Sequence, residues 1–418
     1  MSTSHVAHKL LFIFLAPFFC QLPAFAEDFA LKDGDTVVFL GDSITAAQSY
    51  GKTIENYTLL RYPSRKVRFV NAGQGGDTAA GGLARLEKDV FSRGATVLTV
   101  AYGVNDIGWG VKADAEHRQK YLESIREIVR RCNEKKVRVF ICSAAITAAE
   151  PDKAEKDFLQ SMCDDGLASA KELGAGTIDL QRDMRAIQRR LIEANKHLQT
   201  KETPHTLHAA DGVHLNDLGQ LAMAFCILKG LGAPAEVSSA VIDAKTKESG
   251  ESKGCKIDGV TQKEGVLEFD RLDEGLPLNF GLFGALQFRF IPFPDQLNRY
   301  MLTIKELPEG KYEVLADGRK LATYSHKQLA AGVNISFATS DAWQPGGPWD
   351  VQSTLVKHLT DSRSQLHLSQ IQARAFVADE SQLAMLAAEA AKVNASLEDL
   401  QRKAAQPRKY HFEVRKAE

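Results

Sequence analysis

The chain lacks an excess of either charge. Over 418 residues, 52 Lys and Arg stand against 53 Asp and Glu, and with no long basic stripe nucleic acid is not its main partner. It is also poor in usable cysteine pairs. Six cysteines are widely spaced with no C-x-x-C among them, which excludes both a dense disulfide framework and a zinc site of that spacing. Long apolar runs are scarce as well: the one that stands out, Leu10 to Cys20, is too short for an ordinary membrane span. No internal repeat is visible.

That run sits in a leader-like segment. His8 and Lys9 precede it, and Ala24-Phe25-Ala26 follows as a small-x-small site before Glu27, the pattern of a secretory signal peptide over residues 1–26. A retained amino-terminal anchor is the alternative to cleavage; Phe18 and Phe19 before Cys20 do not make a lipoprotein box. The expectation is an exported protein, periplasmic or secreted, with no stable membrane span once the signal is removed. Five cysteines then remain, Cys132, Cys142, Cys163, Cys226 and Cys255. Export permits one or two bridges among them, without saying which.

From Asp35 to about Gly232 strand-like and helical patterns alternate. Thr36–Leu40, Val67–Asn71, Ala95–Ala101, Val137–Cys142 and Thr177–Leu180 are apolar and β-branched; between the third and fourth, Tyr121, Ile125, Ile128, Val129 and Cys132 recur at helical spacing. Five such strands separated by helices predict an α/β fold, a doubly wound parallel five-stranded sheet. Ligands of such sheets collect at the carboxyl ends of the strands. The expected α/β unit spans residues 27–233, followed by a polar, glycine-containing linker over 234–256. A small β-rich domain is expected over 257–345, from short runs such as Val266–Phe269, Leu286–Phe290, Tyr300–Ile304, Tyr312–Leu315 and Val333–Phe337. A helical segment is expected over 346–418, with helices near Val351–Asp361 and Glu380–Ala404.

Four stretches bear on chemistry. The first, Gly41-Asp42-Ser43, ends the first strand. A serine or aspartate there is a ready helix cap, and the same position exposes Ser43 as a nucleophile. The second, "NAGQGGDTAAGG" from Asn71 to Gly82, is glycine-rich but lacks the third glycine of a dinucleotide fingerprint and the lysine of a P-loop. Its other use is a backbone N–H at Gly76 that approaches a developing oxyanion. The third, "YGVND" from Tyr102 to Asp106, follows strand three; Asn105 there suits an Asx turn or a side-chain donor to the same oxyanion.

The fourth, "DGVHLNDLG" from Asp211 to Gly219, precedes a helix over Leu218–Leu228. Asp211 lies three residues before His214 and can turn back to orient its imidazole, which a serine nucleophile needs as its base. A metal cluster is the competing use, because His205, His208, Asp211 and His214 fall three apart. Pro204 and Gly212 make the segment a loop, however, so the spacing does not define one helical face.

Taken in order, the four stretches resemble the four blocks of the SGNH hydrolase superfamily, the GDSL-type esterases and lipases, over about residues 35–230. The resemblance implies a flavodoxin-like sheet, Ser43 as nucleophile, His214 as base and Asp211 as its orienting acid. It implies an oxyanion hole of Ser43 N–H, Gly76 N–H and the Asn105 amide, with no metal or organic cofactor. Two positions depart from the commonest pattern. Ile44 stands where many members have leucine, and Gly75 next to Gly76 offers two glycines for one donor, of which Gly76 matches the Gly-Asp-Thr placement.

The expected activity is ester hydrolysis, falling in acid as His214 takes up a proton. Related exported members with an appended β domain often deacylate polysaccharides, which makes acylated carbohydrate the expected substrate. A lipase, lysophospholipase or thioesterase with the same triad is the second reading, and a non-catalytic surface-binding protein on an esterase scaffold is the third. In the appended part, Trp343 and Trp349 bracket a Gly- and Pro-rich loop and are suited either to stacking on a sugar or to anchoring that loop. The Phe-rich stretch Phe280 to Phe293 reads as core of the β domain.

Overall fold

A computed structural model describes residues 29–417 apart from 200, 282–285, 342 and 344–345. The expected signal peptide lies outside the described residues. Strands β1 (Thr36–Gly41), β2 (Arg68–Gly73), β3 (Val97–Ala101), β4 (Arg138–Cys142) and β5 (Gly176–Ile178) form one parallel sheet in the order β2-β1-β3-β4-β5. The connecting helices are α1 (Ser43–Ala46), α2 (Ser49–Arg61), α3 (Ala79–Ala84), α4 (Leu86–Asp89), α5 (Ala115–Glu134), α6 (Pro151–Ala154), α7 (Phe158–Glu172), α8 (Leu180–Asn195) and α9 (Asp217–Gly230).

The period-two alternation of strand side chains explains why β1 is apolar throughout. Val37 and Phe39 join one buried cluster with residues of α2, α8 and α9, whereas Val38 and Leu40 join another with α5 and α7. A central strand covered on both faces favours apolar side chains at every position. Strand order 2-1-3-4-5 reverses direction at β1, so the connections leaving the paired strands β1 and β3 run to opposite sides and a crevice opens beyond their carboxyl ends.

The C-terminal half differs from the expected plan in several places. Residues expected as a linker begin with β6 (Glu236–Asp243), followed by β7 (Glu248–Ser249) and β8 (Cys255–Lys263). The strand was obscured by Ser238 and Ser239, but Val237, Ala240 and Ile242 are buried, and β6 pairs in parallel with β10 (Arg299–Lys305). The remaining strands are β9 (Val266–Asp273), β11 (Lys311–Ala316), β12 (Arg319–Ser325), β13 (Val333–Asn334) and β14 (Tyr410–Lys416). They build two sheets, β13-β10-β6-β7 and β12-β11-β14-β9-β8. Leu286–Arg289 is a 3₁₀ turn where a strand was expected, and only Val333–Asn334 of the run to Phe337 is strand. The expected helical segment ends in β14, which inserts between β11 and β9, so the chain terminus completes the sheet.

Helices α10 (Phe293–Leu297), α11 (His326–Ala331), α12 (Trp349–Phe376) and α13 (Glu380–Ala404) complete this half. The buried apolar cluster on the α2 side of β1 runs without a break into Phe269, Tyr300 and Phe412 of the C-terminal sheets. The two halves therefore share one core. Buried Arg271 ties the two C-terminal sheets: its Nε donates to Asp273 Oδ1 at 3.0 Å, Nη2 to Ser238 Oγ at 2.9 Å and Nη1 to the Met301 carbonyl at 3.0 Å.

Trp349 is fully buried, its ring centroid 4.8 Å from that of Tyr300, and its indole N–H donates to the Ser336 carbonyl. It anchors its loop. Trp343 is 84% exposed. Phe280, Phe288 and Phe293 contact one another, and Phe293 also meets Phe225 of α9, so this stretch packs between the two halves.

The hairpin of α12 and α13 is clamped onto α2 by buried polar groups. Arg363 bonds Glu55, Glu398 and Gln401; Gln401 Nε2 donates to Glu55 Oε1 at 3.2 Å and to Thr360 Oγ1 at 2.6 Å; Ser364 Oγ donates to Gln48 Oε1 at 2.7 Å. Gln48, with φ of 65°, is the left-handed residue that turns α1 into α2. Among the described residues the five cysteines are free thiols and no helix is long and apolar enough to cross a membrane.

Candidate active site

The strand end at Gly41 is forced by crowding. A Cβ there would lie 2.1 Å from Thr45 Oγ1 and 2.9 Å from the Ala101 carbonyl, so only glycine lets the chain turn into α1. Asp42 then caps α1, its Oδ1 accepting the Ile44 N–H at 2.9 Å. Because Asp42 supplies the cap, Ser43 is left as the first helical residue with its hydroxyl uncommitted to the backbone. That hydroxyl lies 2.9 Å from His214 Nε2.

His214 and Asp211 occupy a tight loop between α8 and α9. Asp211 Oδ1 accepts the N–H groups of Val213 and His214, each at 2.9 Å, and Oδ2 lies 2.6 Å from His214 Nδ1. Those two backbone donors and the imidazole hold the Asp211 carboxyl down at about 2, the Val213 N–H contributing most. An ionised carboxylate only accepts, so Nδ1 carries the proton, Nε2 is the acceptor, and Ser43 is the donor to it. Gly212, with φ of 72°, makes the turn, and its carbonyl accepts the Ala148 N–H.

Downstream, Asn216 caps α9 through the Gly219 N–H. Gln220 on α9 donates to the Ile44 carbonyl at 3.3 Å and accepts the Tyr50 N–H at 3.2 Å. The helix following the histidine loop is thus bonded to the helix that carries the serine.

Two further turns complete the rim. The Asn71 amide donates to the Thr45 carbonyl at 2.7 Å and fastens the end of β2 to α1. Beyond it, Gly76 is exposed with φ of 73° and open space where a Cβ would stand, a conformation that glycine adopts without strain. The turn is braced from below by Asp77, which accepts from Arg85 Nε and from the Tyr102 hydroxyl, both at 2.8 Å. Arg85 Nη2 also reaches the Gly41 carbonyl at 3.2 Å, linking the first and second stretches.

Asn105 crosses from β3 to the same turn, its Nδ2 donating to the Asp77 carbonyl at 3.0 Å while Oδ1 accepts the indole N–H of Trp109 at 2.9 Å. One Nδ2 hydrogen remains available. Asp106 Oδ1 accepts the Ala79 N–H at 3.0 Å, and its buried Oδ2 has no partner among the described residues. Burial pushes the carboxyls of both Asp42 and Asp106 up to about 6.

The structure thus brings Ser43, His214 and Asp211 into one hydrogen-bonded chain and sets Asn105 and Gly76 on neighbouring turns. It separates the other histidines of the three-residue series. His208 is buried with Nε2 on the Ile146 carbonyl at 2.9 Å, and burial holds it below the ordinary histidine value; His205 Nε2 lies 2.8 Å from Arg289. Arg85, Asp106 and Trp109 were missed from the sequence. For Trp109 a signal existed, since Gly108 and Gly110 bracket it immediately after the third stretch.

A parallel sheet with a hydroxyl, an imidazole and a carboxylate in line at its carboxyl edge belongs to the class of α/β hydrolytic enzymes. Residues 39–222 match the GDSL-like Lipase/Acylhydrolase family; this part of the chain is a GDSL-like lipase/acylhydrolase domain of the SGNH type, and the protein is a carboxylic ester hydrolase. A sequence search of the curated proteins returns no match.

Among solved structures the chain resembles BT4096, a gut microbial diltiazem-metabolizing enzyme, at 23% identity and a TM-score of 0.77, over 93% of this chain and 98% of that one. That likeness is one of fold, and it extends beyond the hydrolase domain into the C-terminal half. The acetylxylan esterase Axe2 of Geobacillus stearothermophilus is 21% identical with a TM-score of 0.40, over 49% of this chain and 96% of its own. The acetyl xylan esterase AlAXEase is 22% identical with a TM-score of 0.40, over 46% and 98%.

Proposed function

We propose that the protein is an exported serine esterase that removes acyl groups, acetyl foremost, from carbohydrate. The observation that carries the catalytic part is the Ser43, His214 and Asp211 chain, with contacts of 2.9 and 2.6 Å. In this reading His214 Nε2 takes the Ser43 proton as the oxygen attacks the ester carbonyl. Asp211 keeps Nδ1 protonated and stabilises the imidazolium that forms. The tetrahedral oxyanion receives the N–H groups of Ser43 and Gly76 and the free Nδ2 hydrogen of Asn105. The alcohol departs with the proton held at Nε2, and water, deprotonated by the same nitrogen, releases the acid from Ser43. Asp211 stays ionised down to about pH 2, so its orienting charge is kept through mild acid.

The substrate reading rests on openness and on the leader-like segment. Asp211 and Gly76 are exposed, so a bulky alcohol moiety can lie across the site without entering a closed cavity. Residues 1–26 read as an export signal, which places acylated polysaccharide within reach. Assays of the purified protein on acetylated xylan and, in parallel, on long-chain acyl esters test it. Acetate release from xylan exceeding long-chain turnover is expected; the reverse preference would assign a lipase or lysophospholipase.

A further inference from the structure

The loop after β3 displays one large aromatic in an unusual way. Trp109 has φ of 57°, between Gly108 at 51° and Gly110 at 96°. A left-handed backbone is rare for a bulky residue and persists only where the surroundings impose it. Here the chain is held by the Trp109 N–H on the Val104 carbonyl at 2.9 Å and by the Lys112 N–H on the Ile107 carbonyl at 2.9 Å. The result is a ring 51% exposed to solvent. Apolar burial cannot be the reason for that placement.

Its side chain makes two contacts with groups of the site. The indole N–H donates to Asn105 Oδ1 at 2.9 Å, and the ring stands edge-to-face against His214, centroids 5.7 Å apart. The first contact selects the flip state of the Asn105 amide: with Oδ1 occupied by a donor and one Nδ2 hydrogen on the Asp77 carbonyl at 3.0 Å, the remaining hydrogen has a fixed direction. The second contact puts the exposed ring beside the imidazole that hands a proton to the leaving alcohol.

We infer that Trp109 is a positioning residue for the Asn105 donor and, through its exposed ring, the platform on which the alcohol part of the substrate stacks. The inference rests on the serine-esterase reading above. The occupant is a pyranose ring, whose C–H face suits an indole and whose hydroxyls remain in water. Trp109 thereby ties recognition of the sugar to the orientation of the donor that stabilises its ester.

The test uses the purified chain with two acetyl esters, ethyl acetate, which has no ring, and a mono-acetylated methyl xylopyranoside. Trp109→Phe keeps a ring and removes the N–H; Trp109→Asn removes the ring and tolerates the left-handed backbone. Trp109→Phe should lower kcat roughly tenfold on both esters with little change in KM, as expected for one lost orienting hydrogen bond. Trp109→Asn should in addition raise KM roughly tenfold for the xylopyranoside and leave that for ethyl acetate unchanged. In an Asn105→Ala background Trp109→Phe should have no further effect on kcat, which a merely structural role would not produce.

An unchanged xylopyranoside KM in Trp109→Asn, an equal rise for both esters, or a full Trp109→Phe loss persisting without Asn105 would overturn the proposal. So would absence of xylopyranoside hydrolysis by wild type. Reactivity of Ser43 toward a fluorophosphonate separates the two levels. Wild type that labels while the Trp109 arms stay flat refutes this inference alone; wild type that fails to label refutes the esterase reading beneath it.

Discussion

Asn105 and Gln401 are side-chain amides in different surroundings that make similar contacts to different ends. Gln401, buried where the hairpin meets α2, uses both Nε2 hydrogens on Glu55 and Thr360 and accepts from Arg363 at 2.8 Å. Asn105, half-buried at the carboxyl edge of the sheet, accepts from Trp109, donates once to Asp77, and keeps one hydrogen unspent. A satisfied amide in a dry junction holds elements together; an amide left one bond short beside an open crevice has something to offer a substrate. The carboxylates differ in surroundings instead: Asp211 is exposed and accepts from three donors, whereas Glu55 is buried against Arg363.

The largest break in this contrast should come from Asp211→Asn. It preserves shape but permits the wrong imidazole tautomer, and kcat should fall on the order of ten-thousand-fold while the melting temperature stays close to wild type. Arg363→Ala should do the opposite. It strips the partner from a buried carboxylate, and stability should drop by about 3–5 kcal/mol in denaturant titrations, with kcat of the folded fraction largely kept.

The paired amide substitutions sharpen the comparison at smaller amplitude. Asn105→Ala should raise the barrier by about 3–4 kcal/mol with little change in stability. Gln401→Ala should lower stability by about 1–3 kcal/mol with little change in kcat. Equal effects of the two on kcat would erase the distinction.

The effect confined to a window of pH concerns Asp106. Burial raises its carboxyl to about 6, so the folded state binds the proton more tightly than the unfolded chain. Its contribution to stability is complete below the ordinary carboxylate value and is lost as pH rises through about 6, by up to about 3 kcal/mol. Asp106→Asn, which retains an acceptor for the Ala79 N–H, should flatten the dependence of melting temperature on pH between about 4 and 7.

The hydrolase half was legible because its constraints are local. A strand that is apolar on both faces, followed by Gly41-Asp42-Ser43, announces a buried strand ending at a crowded turn, and the five expected strands each overlap an observed one. Asp211, three residues before His214, could be read as turning back onto it, as it does at 2.6 Å; setting Ser43 beside them took the resemblance of the four stretches to the SGNH hydrolases. The C-terminal half depends on distant pairings. Val237 to Ile242 became a strand through pairing with β10 some sixty residues on, and Tyr410 to Lys416, whose alternating burial was visible in its residues, needed β9 and β11 to have a place. Arg85 and Asp106 escaped notice for a related reason: their roles are to brace turns that other segments supply.

The measurement that bears most directly on the central claim is covalent labelling of the purified protein with a fluorophosphonate, comparing wild type with Ser43→Ala and His214→Ala. An activated serine in the observed hydrogen-bonded chain predicts fast labelling of wild type, none of Ser43→Ala and a loss of at least roughly a thousandfold in rate for His214→Ala. Folded wild type that does not label, or a His214→Ala variant that labels as fast, would contradict the account.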